Sequence, residues 1–221
     1  MTDFKSFLTK PLRALAVASL IAGAAGAVAT APLAAQASSS SKLAEAVAAL
    51  RAISTLKADF VQTDRNGQRL SGELTLKRPG KIRFQYQKGV PLLIVADGKA
   101  LTMIDYEVRQ VQRWPIKNSP LGALLDPNRD VTRYGKLIPT ENPAVTSIEV
   151  RDPKHPEYGR ITMIFVRDPS APGGMELTSW VALDSQNKRT TIRLANHRYG
   201  VAVADNAFSY TDPRRNAPGR R

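Results

Sequence analysis

The chain contains no cysteine. It therefore cannot be stapled by disulfides, cannot carry a lipid on an N-terminal cysteine and has no thiol chemistry. Histidine is almost as scarce, with two in 221 residues. His155 stands between Lys154 and Pro156, and His197 lies in "ANHRYG" near the end of a strand pattern. Neither belongs to a His-x-x-x-His or His-Glu pair or to a Gly-x-Ser-x-Gly elbow. Asp97, Asp105, Asp126, Asp152 and Asp184 fall at turns, where aspartate serves local hydrogen bonds. Gly173-Gly174 sits in an irregular Pro-containing stretch with no helix behind it, so no phosphate-cradling loop is formed. These gaps remove the usual signatures of a hydrolase, a metalloenzyme or a nucleotide-binding protein. No catalytic residue, metal or cofactor is expected.

Long apolar runs are also missing beyond the start of the chain. Residues 1–37 have the layout of a secretory signal: basic Lys5, Lys10 and Arg13, then an uncharged Ala-rich stretch from Ala14 to Ala35, then Ala35-Gln36-Ala37 as a small-x-small cleavage site. The stretch is long enough to span a bilayer, which is the competing reading. Its Ala and Gly content and the serine cluster that follows favour cleavage after about Ala37. What remains, residues 38–212 with a basic, disordered tail at 213–221, is one domain's worth of chain. The formal charge of the whole chain is +13. In an exported protein that points to an anionic lipid surface or acidic protein partners rather than nucleic acid, since the basic residues are spread along strands and not interleaved with stacking aromatics; the competing reading is a generally basic, soluble surface.

Ser38–Ser41 is Ser-rich and reads as disordered. Next, "KLAEAVAALRAISTLKADF" sets Leu43, Val47, Leu50 and Ile53 at helical spacing, and after it the period falls to two. Strands are expected at Lys57–Arg65 and Leu70–Lys77, joined by a two-residue Asn66-Gly67 hairpin. A return strand carries Ile82, Phe84 and Tyr86 on one face after a Pro79-Gly80 type II turn. "PLLIVADGKALTMIDYEVRQVQRW" adds further strands of a meander. "NSPLGALLDPNRD" breaks the pattern with a short helix: Ser119 caps, Pro120 fits the first turn, Leu121, Leu124 and Leu125 form the stripe, and Asp126-Pro127 ends it. Strands resume at "AVTSIEVRD", "RITMIFVRD", "LTSWVALDS", "RTTIRLANHRYG" and "AFSYTD". So many antiparallel strands with only two or three helices imply a curled, mainly β architecture. An unclosed antiparallel β-barrel of about 10–11 strands, with a helical lid over an apolar cavity, satisfies the pattern.

One residue breaks the alternation. Counting by twos from Leu70 through Gly72, Leu74 and Leu76 reaches Arg78. An inward guanidinium is costly unless its donors are met, and carbonyls near Leu121 to Leu125 or at the end of the first helix could meet them. Alternatively pairing ends at Lys77 and Arg78 points to water.

The segments "LKADFVQT", "NGQRLSGELTLKRPGKIRFQY", "LLIVADGKALTMID" and "FSYTDPR", in that order, resemble the LolA family of periplasmic lipoprotein carriers over nearly all of the chain after the leader. The resemblance implies a periplasmic chaperone that takes the acyl chains of triacylated lipoproteins from an inner-membrane ABC transporter of the LolCDE type. It then yields them to an outer-membrane acceptor of the LolB type, as a monomer, with no cofactor and no covalent chemistry. It further implies that the arginine of the Arg-Pro pair, here Arg78 before Pro79, latches the lid when the cavity is empty. Phe60, Leu74, Leu76, Ile82, Phe84, Tyr86, Ile94, Trp114, Leu121, Leu124 and Leu125 are then the expected cavity lining. Ile82 departs from the family, which often has an aromatic there, and the basic surface is a second difference. Two other readings compete: a periplasmic sensor with the same barrel fold, which would bind a partner protein, and an envelope lipid hydrolase.

Overall fold

The computed structural model describes residues 31–126 and 130–216. The first helix, α1 (Ala31–Ala52), is longer than its apolar stripe and runs through Ser38–Ser41, where a disordered segment is expected. Alanine-rich flanks on both sides carry the helix across the serines, and Ser41 Oγ donates to the Glu45 carboxylate one turn on, at 3.2 Å. The expected cleavage point near Ala37 falls inside this helix; residues 1–30 lie outside the described residues. Val47 and Leu50 of the stripe are buried, Leu43 is half-buried, and Ile53 is buried just past the helix end. Among the described residues no helix is long and apolar enough to cross a membrane.

Six strands follow as a meander: β1 (Thr55–Thr63), β2 (Arg69–Lys77), β3 (Lys81–Tyr86), β4 (Leu92–Asp97), β5 (Ala100–Asp105) and β6 (Gln110–Pro115). A second meander comprises β7 (Gly135–Ile138), β8 (Val145–Arg151), β9 (Arg160–Arg167), β10 (Met175–Leu183) and β11 (Arg189–Tyr199). The two halves join where β1 pairs with β11, so one 11-stranded antiparallel sheet runs from β6 through β1 and β11 to β7. Its end strands β6 and β7 do not pair, and the barrel is unclosed. Between them the chain crosses over the interior as a short 3-10 turn, α2 (Gly122–Leu125) and α3 (Val131–Tyr134). Together with α1 these form the helical lid.

Several local expectations are corrected. The β1–β2 connection is not a two-residue turn. Asp64 pairs with Gln68, its carboxylate accepts from the N–H groups of Asn66 and Gln68, and Gly67 takes φ +82° in the left-handed position of a three-residue loop. The β2–β3 loop is likewise three residues, Arg78-Pro79-Gly80, between the paired Lys77 and Lys81, with a cis Arg78–Pro79 bond. Ser119 does not cap α2: its hydroxyl donates back to the Ile116 carbonyl at 2.9 Å, and Leu121 holds the N-cap position. Pro127, expected to end that helix, lies outside the described residues. Asp130 does act as a cap, for α3, accepting from the Arg133 N–H.

"AFSYTD" is no strand. Residues 201–212 run as an extended strap with a 3-10 turn at Asp205–Phe208, across the outside of the sheet. There Phe208 seals a second apolar cluster with Leu93, Val95 and Ile104 on the outer face. The strap is pinned by Asp205 to Lys77 (2.9 Å) and Lys81 (2.8 Å), and by Arg83 donating to the carbonyls of Ala207 and Ser209. The eleventh strand is instead β7, too short to show an alternation of its own. Of the tail expected to be disordered, Pro213–Asn216 forms a 3-10 turn, and residues beyond it lie outside the described ones.

Candidate functional site

The inward face of β1 to β3 carries a linked aromatic cluster. Phe60 packs edge-on against Phe84 (5.3 Å between centroids) and Tyr86 (5.2 Å), and Phe84 meets Trp180 of β10 at 6.2 Å. Tyr86 turns its hydroxyl to Gln62 Oε1 at 2.7 Å, and burial raises its pKa above the ordinary tyrosine value. Above this cluster is a cavity of about 220 Å³. Phe84, Ile94, Leu101, Met103 and Trp114 form one wall, Trp180, Ala182 and Ile192 the other, and Ser119, Pro120 and Leu121 of the crossover roof it. Gln62, Asp184, Lys188 and Thr190 mark its polar edge, at the end of the barrel where the β1–β2 and β10–β11 hairpins turn.

The expected lining is thus brought together only in part. Phe84, Ile94, Trp114 and Leu121 border the cavity. Phe60, Leu74, Leu76, Ile82, Tyr86, Leu124 and Leu125 are buried in the core cluster beneath it and beside the lid, and do not border it. Leu101, Met103, Trp180, Ala182 and Ile192 were missed. "LTSWVALDS" alternates plainly enough to place Trp180 and Ala182 on one face, but only the curl of the sheet shows which face looks onto β3 and β6.

Arg78 sits at the other end of the barrel, under the C-terminus of α1. Its Nη2 donates to the Leu50 carbonyl at 2.9 Å and its Nε to the Ile53 carbonyl at 3.1 Å, while its backbone N–H donates to the Ser54 carbonyl at 2.8 Å. The last carbonyls of a helix lack intrahelical partners and carry the negative end of its dipole, so a guanidinium there supplies both charge and donors. Burial first, and the nearby Arg51 charge second, lower its pKa from the usual arginine value. An arginine nevertheless stays charged. Arg78 also borders a crevice with Val47 and Leu50 of α1 and with Ala123 and Val131 of the crossover, where the two parts of the lid meet.

Both histidines are accounted for locally. His155 stacks on Tyr158 and lies 2.9 Å from Glu157, and His197 Nε2 faces the Leu177 carbonyl at 3.0 Å. His197 is turned inward by a bulge at Asn196 (φ +55°), where the β1 register shifts between Lys57 and Asp59.

Residues 51–211 match the family profile described as "Outer membrane lipoprotein carrier protein LolA". An outer-membrane lipoprotein carrier protein of Chromobacterium violaceum is 34% identical over 184 residues, covering 77% of this chain and 85% of that protein. One from Xanthomonas campestris is 30% identical over 173 residues, covering 73% and 79%. Among solved structures, a LolA superfamily protein from Nitrosomonas europaea aligns with a TM-score of 0.44 at 10% identity, over 78% of this chain and 97% of that one.

Proposed function

The chain belongs to the LolA family of outer membrane lipoprotein carrier proteins, and from that premise we propose that it shields the acyl chains of triacylated lipoproteins while they cross the periplasm. The observation that carries this reading is the apolar cavity of about 220 Å³, roofed by the crossover at Ser119, Pro120 and Leu121. Each methylene held in water costs ~0.8 kcal/mol, so one acyl chain of about a dozen methylenes faces roughly 10 kcal/mol in crossing. An apolar cavity removes that barrier without any covalent step. The cavity is smaller than the roughly 300–1,000 Å³ of ordinary ligand pockets, so in this reading the lid lifts as cargo is loaded. An exposed empty cavity would invite aggregation, which is a reason to close it.

In this reading Arg78, with Pro79 setting its loop, is the latch: it holds the end of α1 while the cavity is empty and lets go as cargo enters. The leader at 1–37 directs export and is removed near Ala37. The donor is an inner-membrane transporter of the LolCDE type and the acceptor an outer-membrane protein of the LolB type. A photo-crosslinking residue placed at Met103 or Ile192 tests the cavity directly. It is expected to capture the acyl chains of a lipoprotein, whereas capture only from positions on the outer face would reject the cavity as the binding site.

A further inference from the structure

The outer face of the second half-barrel carries a row of cations with almost nothing to neutralise it. Arg151 of β8 lies directly opposite Arg160 of β9, Arg160 opposite Leu183 of β10, and Leu183 opposite Arg189 of β11. At ~4.8 Å per strand the row spans roughly 15 Å. One same-face row lower, Arg69 of the neighbouring β2 lies opposite Thr63, which pairs with Thr191, and two rows lower Arg193 lies opposite Ser179 and Val61, all on the same side of the sheet. Their sequence neighbours Val150, Ile161 and Ile192 point the other way, into the core. Arg69, Arg151, Arg189 and Arg193 are exposed, and among the described residues their side chains make no ion pair or hydrogen bond. Of the carboxylates on this face, Glu149 is taken by Arg160 at 3.6 Å, and Asp59 of β1 accepts from the Asn196 amide at 2.6 Å. Asp184 of the adjoining turn is engaged by the N–H groups of Gln186 and Lys188. Farther along the outer face Lys57 and Arg198 both pair with Glu73.

Like charges directly opposite on a sheet cost stability, so a repeated guanidinium row needs an anion from outside to be useful. We propose that this face docks on the anionic surface of a lipid bilayer. The spaces between the arginines are filled by Thr63, Thr162, Ser179, Val181 and Thr191 and by the half-buried Leu183, and no large aromatic stands there. The exposed large hydrophobic residues, Tyr106 and Val108, lie at the β5–β6 turn of the other half. The cores of protein interfaces are enriched in aromatic anchors, and the lack of aromatics here suits a diffuse polyanionic plane. Guanidiniums suit phosphate oxygens in particular. A crevice of about 190 Å³ bordered by Arg151, Arg160, Asp184, Ser185 and Asn187 gives one headgroup phosphate a place to sit, with the Asp184 carboxylate already engaged by backbone N–H groups. The choice of a bilayer over an acidic protein rests on the carrier reading, in which cargo begins and ends its journey in a membrane. Attachment through charge alone is weak and salt-sensitive, which lets a carrier leave again.

The test is co-sedimentation of the purified protein with vesicles, so it requires no cargo and can fail while the carrier reading stands. Binding is expected to phosphatidylcholine vesicles containing about a third phosphatidylglycerol at low salt, to be lost at high salt, and to be absent from pure phosphatidylcholine. The triple variant Arg69→Gln, Arg189→Gln, Arg193→Gln is expected to weaken binding about fivefold per arginine, about a hundredfold in all. A control triple of the same charge change, Lys88→Gln, Lys99→Gln, Arg109→Gln, removes exposed cations of the other half and is expected to leave it within about twofold. Absent binding to anionic vesicles, or equal losses in both triples, would overturn the proposal. So would polyglutamate binding as tightly as the vesicles with the same arginine dependence, which would make an acidic protein the partner.

Discussion

Arg78 Nη2 lies 2.9 Å from the carbonyl oxygen of Leu50, which ties the turn between β2 and β3 to the end of the lid helix. With its companion bond to the Ile53 carbonyl, it lets one side chain of the β2–β3 loop hold both the last turn of α1 and the residue just past it. A charged hydrogen bond of this kind contributes about 1.5–3 kcal/mol net. That is enough to shift an open–closed balance by tenfold to about a hundredfold.

Arg78→Leu is therefore expected to load lipoprotein normally, since the cavity wall is untouched, but to transfer it onward at least about tenfold more slowly, because the empty closed state is no longer favoured. Arg78→Lys keeps the charge on a single ammonium and is expected to fall between the two. Measuring loading and transfer separately checks this, and unchanged transfer by Arg78→Leu would remove the residue from the cycle.

Ala182 lines the cavity opposite Trp114 and is the smallest side chain that does so. Ala182→Phe is expected to fill the space that acyl chains occupy, lowering the affinity for a fluorescent fatty acid by about tenfold while changing stability by less than the ~1–3 kcal/mol of ordinary overpacking. Parallel fluorescence titration and thermal unfolding check the two parts. Unchanged affinity would place the acyl chains elsewhere.

The strap responds to acid. Hydrogen bonds and charge from Lys81 and Lys77 hold the Asp205 carboxyl down at about 2. Its folded value thus lies below the ordinary carboxylate value of ~3.9. The pinning is complete above about pH 4 and is lost as pH falls toward 2. Amide exchange of residues 201–212 is expected to quicken over that window in the natural protein and to be quick already at neutral pH in Asp205→Ala. Phe208→Ala, which empties the second apolar cluster, is expected to cost about 3–5 kcal/mol in chemical unfolding.

The sheet was legible in the sequence because its register is written as alternation. The run Leu70 to Tyr86 places Leu74 against Phe84 and Leu76 against Ile82, as parity requires. Parity fails where pairing stops. The last pair is Lys77 with Lys81, so the direction of Arg78 is set by the loop and by the helix carbonyls above it. Both simple expectations were thus half right: pairing does end at Lys77, and the guanidinium is nevertheless engaged by the first helix. "AFSYTD" alternates like a strand, yet Phe208 serves the outside of the sheet through a tertiary contact that no local pattern encodes. The cavity was the least legible part. Inward residues are equivalent in sequence whether they are packed solid, as Phe60 and Leu74 are, or border empty space, as Met103 and Ile192 do. Only the curl that brings β10 and β11 over β3 and β6 separates them.

The most direct measurement is release of a radiolabelled triacylated lipoprotein from inner membranes bearing a competent transporter, with the purified protein as the only soluble acceptor. The expected result is a soluble one-to-one complex, recovered by size exclusion, that hands its cargo to outer membranes. Lipoprotein that stays in the membrane at every concentration of the protein would contradict the carrier role.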